Sequence, residues 1–186
     1  MDARDERFTE LFDRTHRSLL GYAVRRVVSP GDAADVVAES YLVAWRRIDE
    51  LPADGRATAW MFGIARRVLA NHYRGERRRL ALADRLRSEV ELVVPAPEPP
   101  FSPVEVALAQ LPDGDREILR LVAWEQLAHD EIALVLGIPR GTVRVRLHRA
   151  RRRLADRLRA LEDADTDGAD RRPLIPTVSI RLEEAR

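Results

Sequence analysis

The segment "HDEIALVLGIPRGTVRVRLHRARRRL", residues 129–154, combines two helical patterns with a short turn that contains Gly137. The spacing of its apolar residues predicts one helix over 129–136 and a longer one from about Gly141 to Ala160. Two helices joined by a short glycine-containing turn form a helix-turn-helix. The segment therefore predicts a helical domain that can place its second helix in a DNA groove.

The second of these helices has one predicted buried face. Its apolar residues recur at steps of four, three, four and four positions: Val143, Leu147, Ala150, Leu154 and Leu158. A recognition helix enters the major groove with its N-terminal residues at the base edges, and arginine can pair with guanine through two hydrogen bonds. The candidate DNA-binding residues are the polar ones outside this face: Arg140, Thr142, Arg144, Arg146, Arg149 and Arg153. The alternative is an amphipathic bundle helix whose arginines are only solvated.

Charge is concentrated in two places. All 32 basic residues are arginine, so an abundance of arginine is not informative by itself, and the net charge is only +1. Residues 56–82 hold seven arginines and one acid, and residues 140–160 hold nine arginines and one acid. Two separate basic patches indicate two contacts with a polyanion, although two solvated helix faces would give the same pattern.

The N-terminal part of the chain is also predicted to be helical. Apolar residues at helical spacing favour helices over 7–28, 32–48 and 58–79, with Thr58 as the N-cap of the third. The third helix has a polar face that carries or adjoins these residues: Arg67, Asn71, Tyr73, Arg74, Arg77 and Arg78. Regularly spaced arginines can follow phosphates, and an aromatic ring outside the core can stack on an unpaired base. This face is a second candidate nucleic-acid site.

Five of the eleven prolines lie between Pro95 and Pro103, which predicts an extended linker. We therefore expect an all-α protein of two small helical domains. The predicted boundaries are a first domain over 5–82, a linker over 83–102, a helix-turn-helix domain over 103–160 and a flexible polar tail over 161–186.

Several classes of protein are not favoured. The chain has no cysteine, its start "MDARDERF" is charged, and no stretch approaches the roughly 20 apolar residues of a membrane span. We therefore expect a cytoplasmic protein without membrane insertion. The four histidines are scattered, and no glycine-rich phosphate loop occurs. The sequence thus predicts no catalytic residue, no metal, no cofactor and no enzymatic activity.

Three segments together resemble the extracytoplasmic-function (ECF) sigma factors, the small members of the sigma-70 family of bacterial RNA polymerase subunits. "DAADVVAESYLVAWRRIDEL" (32–51) is similar to their region 2.2, and "ATAWMFGIARRVLANHYRGERRR" (57–79) is similar to regions 2.3 and 2.4. "LAQLPDGDREILRLVAWEQLAHDEIALVLGIPRGTVRVRLHRARRRL" (108–154) is similar to region 4. The segments follow the family order, and the resemblance covers about residues 8–160.

The resemblance implies a role for each surface. The helix over 32–46 would bind the clamp of core RNA polymerase through Asp35, Glu39, Leu42 and Arg46. The loop over 49–58 and the following helix would melt the −10 element and capture a flipped base, with the polar face of that helix holding the single strand. The helix over 141–153 would read the −35 element as duplex, and an anti-sigma factor would be the usual regulator.

Two other functions fit the residues less completely. A free-standing helix-turn-helix regulator would bind DNA without polymerase, and an interaction protein would use its arginine faces for RNA or an acidic partner. Run-off transcription and co-elution with core polymerase would separate these two functions from that of a sigma factor.

Overall fold

The computed structural model describes residues 2–86 and 102–170, and their side chains as far as Gly75 in the first range and Asp163 in the second. Within these ranges the chain is all-α, as predicted, with seven α-helices and a single 3₁₀ turn at Ile48–Glu50. The helices are α1 (Ala3–Val24), α2 (Pro30–Arg46), α3 (Ala57–Leu86), α4 (Pro103–Ala109), α5 (Asp113–Ala123), α6 (His129–Leu136) and α7 (Arg140–Asp170). We call residues 2–86 the N-terminal half and residues 102–170 the C-terminal half.

Local sequence signals set several helix starts. The Ser29 hydroxyl accepts a hydrogen bond from the Asp32 amide at 3.0 Å, and Pro30 follows in the first turn of α2. Ser102 caps α4 in the same way, at 3.3 Å from the Glu105 amide. The prediction for Thr58 was wrong, because α3 begins at Ala57 and therefore already includes Thr58.

The N-terminal half is a three-helix unit in which α1, α2 and α3 contact one another. Its core contains Leu11, Tyr22 and Met61, each fully buried. Thr15 is the buried polar group of α1, and its hydroxyl is satisfied by the Leu11 carbonyl at 2.7 Å and the Tyr41 hydroxyl at 2.9 Å. Helices α1 and α2 both cover α3, so that among its described side chains only those from Arg66 onward are exposed.

The C-terminal half packs α4, α5 and α6 against α7. Gly137 ends α6 in the left-handed conformation, with φ of 64°, which a residue with a side chain adopts only with strain. The chain then turns into α7 within three residues, so that the helices of the predicted helix-turn-helix are both present. The predicted span of α6, 129–136, is confirmed.

The two longest helices extend beyond their predicted ends. Helix α3 was expected to end at residue 79, and the linker was expected to begin at residue 83. The helix instead continues to Leu86. Helix α7 continues to Asp170, where a flexible tail was expected from 161 onward. The linker residues 87–101 and the tail residues 171–186 lie outside the described residues. The two halves also contact each other, because α6 packs against α3.

Candidate nucleic-acid and protein interfaces

The N-terminal turns of α7 present a continuous polar surface. The buried stripe is as predicted at Val143, Leu147 and Ala150, each no more than 2% exposed. Thr142 is half-buried. All five candidate arginines are exposed: Arg140, Arg144, Arg146, Arg149 and Arg153. We call this surface the recognition face.

The side of α7 opposite the buried stripe forms a shallow concavity. It is lined by Gly141, Arg144, Val145, His148 and Arg149. Val145 is an apolar side chain left 50% exposed there, and apolar side chains at such a place can contact a thymine methyl group. Gly141, Val145 and His148 were not among the predicted residues. Projecting the α-helical period opposite the buried stripe, instead of selecting charged residues, would have found them.

One predicted DNA contact already has a protein partner. The Arg153 guanidinium forms an ion pair with the carboxylate of Asp115 in α5. This ion pair joins the part of α7 around Arg153 to α5. Arg153 is therefore the member of the set whose position is fixed by the fold.

Helix α6 begins after Ala128, whose methyl side chain cannot act as an N-cap, and a side chain of the first turn bonds back to the Ala128 amide. The Glu131 carboxylate accepts a hydrogen bond from the Ala128 amide at 2.8 Å. This bond satisfies one of the four amides that a helix start leaves unpaired. It holds the start of α6, and thereby the turn that leads into the recognition face.

The second basic surface lies on the C-terminal part of α3. Arg67, Asn71 and Arg74 are exposed along one side of the helix, and we call this row the α3 strip. The Arg74 guanidinium donates a hydrogen bond to the Asn71 side-chain oxygen. Tyr73 is 38% exposed beside the strip, whereas Trp60, in the first turn of the same helix, is only 7% exposed and belongs to the core. The side chains of Arg77 and Arg78 lie outside the described residues.

The loop before α3 is braced by two local ion pairs. Arg47 binds Glu50 in the 3₁₀ turn, and Arg56 binds Asp54 two residues earlier in the chain. The hydrogen bond from Arg56 holds the pKa of Asp54 below its usual value, and Arg47 does the same for the pKa of Glu50. Both ion pairs lie within the loop, close to the N-terminal end of α3.

A third exposed surface runs along α2. Asp35, Glu39, Leu42 and Arg46 follow at steps of four, three and four residues, and all of them are exposed. Leu42 is 58% exposed, which is unusual for a leucine in a helix that also has a buried face. The structure thus brings the four predicted polymerase-binding residues together on one side of α2.

Catalytic and metal sites were not expected. Among the described residues, no group of three His, Asp or Glu side chains is arranged to hold a metal ion. No helix in these ranges combines the length and the apolar character needed to cross a bilayer.

Comparison with known proteins assigns both halves. The family model for Sigma-70 region 2 matches residues 11–79, and the model for Sigma-70, region 4 matches residues 102–154. The ECF RNA polymerase sigma factor SigF of Caulobacter vibrioides is 33% identical over 144 residues, which cover 76% of this chain and 79% of that protein. EcfG of Rhodopseudomonas palustris, another ECF sigma factor, is 30% identical over 140 residues, covering 74% and 77%.

The fold agrees with these matches. The solved structure of CnrH in complex with the cytosolic domain of CnrY is similar at a TM-score of 0.58 and 30% identity, over 85% of this chain and 88% of that one. Matches in both halves do not favour a free-standing helix-turn-helix regulator, which would need only the second. The chain therefore belongs to the sigma-70 family, as an RNA polymerase sigma factor of the ECF type.

Proposed function

We propose that this sigma factor divides its work among three surfaces. The recognition face of α7 reads the −35 duplex, the α3 strip holds the opened −10 strand, and the exposed side of α2 binds core polymerase. The observation that carries this proposal is that the described side chains of the predicted sets lie outside the buried stripe of their helix and are exposed, apart from the half-buried Thr142. We assign residues 5–82 and 103–160 to the two functional domains, with 83–102 as their linker.

The recognition face fits a major groove. The groove admits an α-helix, and the first turns of the helix reach the bases. Arg144 and Arg149 flank the concavity at its open side, and Val145 and Gly141 allow a close approach between them. The arginines of this concavity can pair with guanine. Arg140, at the start of α7, is placed to bind a phosphate.

The α3 strip fits a single strand better than a duplex. The open surface of α3 begins only at Arg66, because the neighbouring helices α1, α2 and α6 enclose the helix before that residue, and Arg66, Ala70 and Tyr73 are exposed beside the strip. Single-strand sites combine a basic track for the backbone with aromatic rings for the bases. Arg67, Asn71 and Arg74 supply the track, Tyr73 supplies a ring, and the loop over 49–58 leads the strand onto it. Arg77 and Arg78 continue the track toward the end of α3.

The exposed side of α2 fits a protein partner. Leu42 offers apolar area between Asp35, Glu39 and Arg46, a mixture that suits a specific interface. Trp45 borders this surface at 36% exposure and is held by the Phe8 ring, with 5.2 Å between centroids. A fixed aromatic side chain next to a charged row gives the polymerase clamp a preformed contact.

Regulation and location follow from the same assignment. The CnrH structure contains the cytosolic domain of CnrY, and the structure of the sigma factor RpoE from Bartonella quintana contains the anti-sigma factor NepR. We therefore propose an anti-sigma factor as a further partner of this chain, and the cytoplasm as its location. Catalysis belongs to the polymerase, so the chain itself needs no active site.

The three surfaces can be tested as three separate steps. Co-elution with core polymerase measures clamp binding, retention of a −35 duplex by the holoenzyme measures recognition, and permanganate reactivity of unpaired thymines measures opening. We expect Asp35→Arg with Glu39→Arg to fail at the first step, Thr142→Ala with Arg146→Ala at the second, and Arg67→Ala with Arg74→Ala at the third. Arg157→Ala, also exposed on α7 but outside the recognition face, is the matched control. Failure of all three variants at one step would overturn the assignment.

A further inference from the structure

The middle of the recognition face is occupied by an apolar side chain. Val145 lies two residues after Val143 and two residues before Leu147, and both of these neighbours are buried. At about 100° per residue around an α-helix, Val145 points about 160° away from each of them. Its side chain is left 50% exposed. Within the first two turns of α7, the side chain that faces most directly away from the protein is therefore a valine and not an arginine.

Exposed arginines flank Val145 on both sides. Arg144 and Arg146 are each one residue away, so they are turned by about 100° to opposite sides of it. No carboxylate occurs between Arg140 and Ala155. An apolar centre with cationic flanks suits a ligand that has negative charge along two edges and an apolar group between them. The major groove has this form, because phosphates line its walls and base edges form its floor.

Gly141 leaves room for a close approach one turn before Val145. It does not have a positive φ, and an added Cβ would meet nothing within 4 Å. Neither the backbone conformation nor the packing of the chain therefore requires glycine at this position. A valine side chain is short, so it touches a base only if the helix backbone comes near the floor of the groove. The missing side chain at Gly141 permits that approach.

Helix stability does not account for Val145. Valine is a weaker helix former than arginine or alanine, since its branched Cβ loses rotamer freedom in a helix. Single exposed apolar residues are common on protein surfaces, but Val145 lines a concavity together with Gly141, Arg144, His148 and Arg149. A ligand seated in this concavity would remove the exposed part of the valine from water, which is favourable.

Only one kind of base suits an apolar contact in the major groove. Thymine presents its C5-methyl group there, whereas adenine and guanine present a polar N7 and cytosine presents an amino group. Valine has neither a donor nor an acceptor, so beside these polar groups it would displace water without replacing the hydrogen bonds. A valine at the centre of the face therefore discriminates in favour of a pyrimidine that carries a C5-methyl group.

We propose that Val145 is a specificity-determining residue of the recognition face, and that it reads the C5-methyl group of one pyrimidine in the −35 duplex. The proposal rests on the assignment of that face to the −35 element and adds the base feature that its centre reads. Thymine carries this methyl group, and so does 5-methylcytosine, which pairs with guanine. A promoter with cytosine at this position therefore binds more tightly once that cytosine is methylated at C5.

Removal of the methyl group from the DNA tests the contact directly. The probe is the −35 duplex that holoenzyme transcribes best from a library randomised at this element, and each thymine in it is replaced in turn by deoxyuridine. The hydrogen-bonding groups stay the same, so only the methyl contact changes. We expect one position at which holoenzyme affinity falls about three- to fivefold, as for one buried methyl group, and no such fall at that position with Val145→Ala.

A matched variant shows that the effect belongs to Val145. Val104→Ala makes the same substitution at a valine of α4 that is 45% exposed and lies outside the recognition face, and it should keep the full response to uracil. Val145→Ala should retain its helical circular dichroism and its Tm, because alanine is the better helix former. In a double-mutant cycle, the two deletions together should cost no more than either one alone.

Methylation of cytosine supplies the opposite change. At the position that couples to Val145, 5-methylcytosine should bind about three- to fivefold more tightly than cytosine, provided that residue 145 is valine. Val145→Ala should bind both duplexes equally. A gain of the same size in Val145→Ala would overturn the proposal, since another group would then contact the methyl.

The outcomes also separate this inference from the proposed function. If Arg146→Ala and Thr142→Ala change the preferred −35 bases but no thymine couples to Val145, the valine does not read a base and the recognition face stands. If none of the three variants changes base preference, the face itself is misassigned. A loss of affinity for core polymerase in the absence of DNA would assign Val145 to a protein contact, and it too would overturn the inference.

Discussion

Two arginine-rich helices, α3 and α7, resemble each other in sequence but have different surroundings in the fold. Helix α3 contacts α1, α2 and α6 on different sides, and it buries Met61, Ile64 and Val68 as well as Ala59 and Phe62. Helix α7 contacts α4, α5 and α6 along one stripe. The open basic surface of α3 therefore begins only at Arg66, nine residues after the start of the helix, whereas that of α7 begins at its first residue, Arg140.

This difference shows why arginine content alone does not identify the ligand. A basic face at the start of a helix can enter a groove and reach base edges, whereas a basic face farther along a helix, with Tyr73 beside it, suits the backbone and bases of a single strand. Where the open face of each helix begins is set by the packing of its neighbours, which no single helix encodes. Variants on the two helices should therefore differ in kind as well as in size.

The largest effect is expected in the core around α3. Phe62 is 2% exposed and stacks on Tyr22 with 4.7 Å between ring centroids. Phe62→Ala should lower the free energy of unfolding by about 3–5 kcal/mol, because it leaves a cavity and removes the ring contact. Urea denaturation followed by circular dichroism measures this, with Leu20→Ala, at a residue 39% exposed, as the milder control. Equal losses in both variants would mean that α3 is less enclosed than described.

A smaller effect is expected on the recognition face. Arg146→Ala and Thr142→Ala should leave stability unchanged and reduce discrimination among −35 sequences by about 1–3 kcal/mol per lost base contact. Transcription from a library randomised at the −35 element gives this discrimination directly. If base preferences stay the same in both variants, the groove contacts lie elsewhere on α7.

The exposed side of α2 should affect a different binding step. Charge reversal at Asp35 and Glu39 should weaken binding to core polymerase by about 1–2 kcal/mol, since both charges lie at an exposed interface rim. Fluorescence titration with core polymerase measures this, and binding of a promoter duplex to preassembled holoenzyme serves as the control. A loss of DNA binding at unchanged polymerase affinity would contradict the assignment of α2.

The smallest expected effect is a change in the salt dependence of DNA binding, and it differs between α3 and α7. Arg67→Ala should reduce the slope of log affinity against log salt for a −10 single strand by about 0.7, as expected for one phosphate on a single strand. For a phosphate contact of α7 on duplex DNA the corresponding change is about 0.9. Titration of holoenzyme with fork-junction DNA at several salt concentrations measures both. An unchanged slope for Arg67→Ala would remove Arg67 from the strand path.

Much of the local structure was predictable from the residues. The apolar steps at Val143, Leu147 and Ala150 predicted the buried stripe of α7, and the span of α6 was predicted to the residue. Ser29 and Ser102 carry hydroxyls that cap the helices after them. These features depend on neighbours three or four positions away, so a single segment contains the whole signal.

Other features left weaker signals. Thr58 was misassigned because Ala57 gives no sign that a helix begins there, and helix ends are the least determined part of a periodic pattern. Val145 and His148 were overlooked because attention to charge favoured the arginines. The ends of α3 and α7 continue into segments without a strong apolar period, so the sequence placed them too early.

By itself, the sequence determined the helices, the helix-turn-helix, the two basic patches and the family, because each of these is written in short-range spacing and ordered motifs. Only the tertiary structure decided where each basic surface is open and which residues join the halves. Arg26 and Glu117 are 91 positions apart, and neither stands in a pattern that predicts a partner. Contacts of this kind depend on the packing of whole helices against one another, and packing geometry at such separations leaves no periodic trace in the chain.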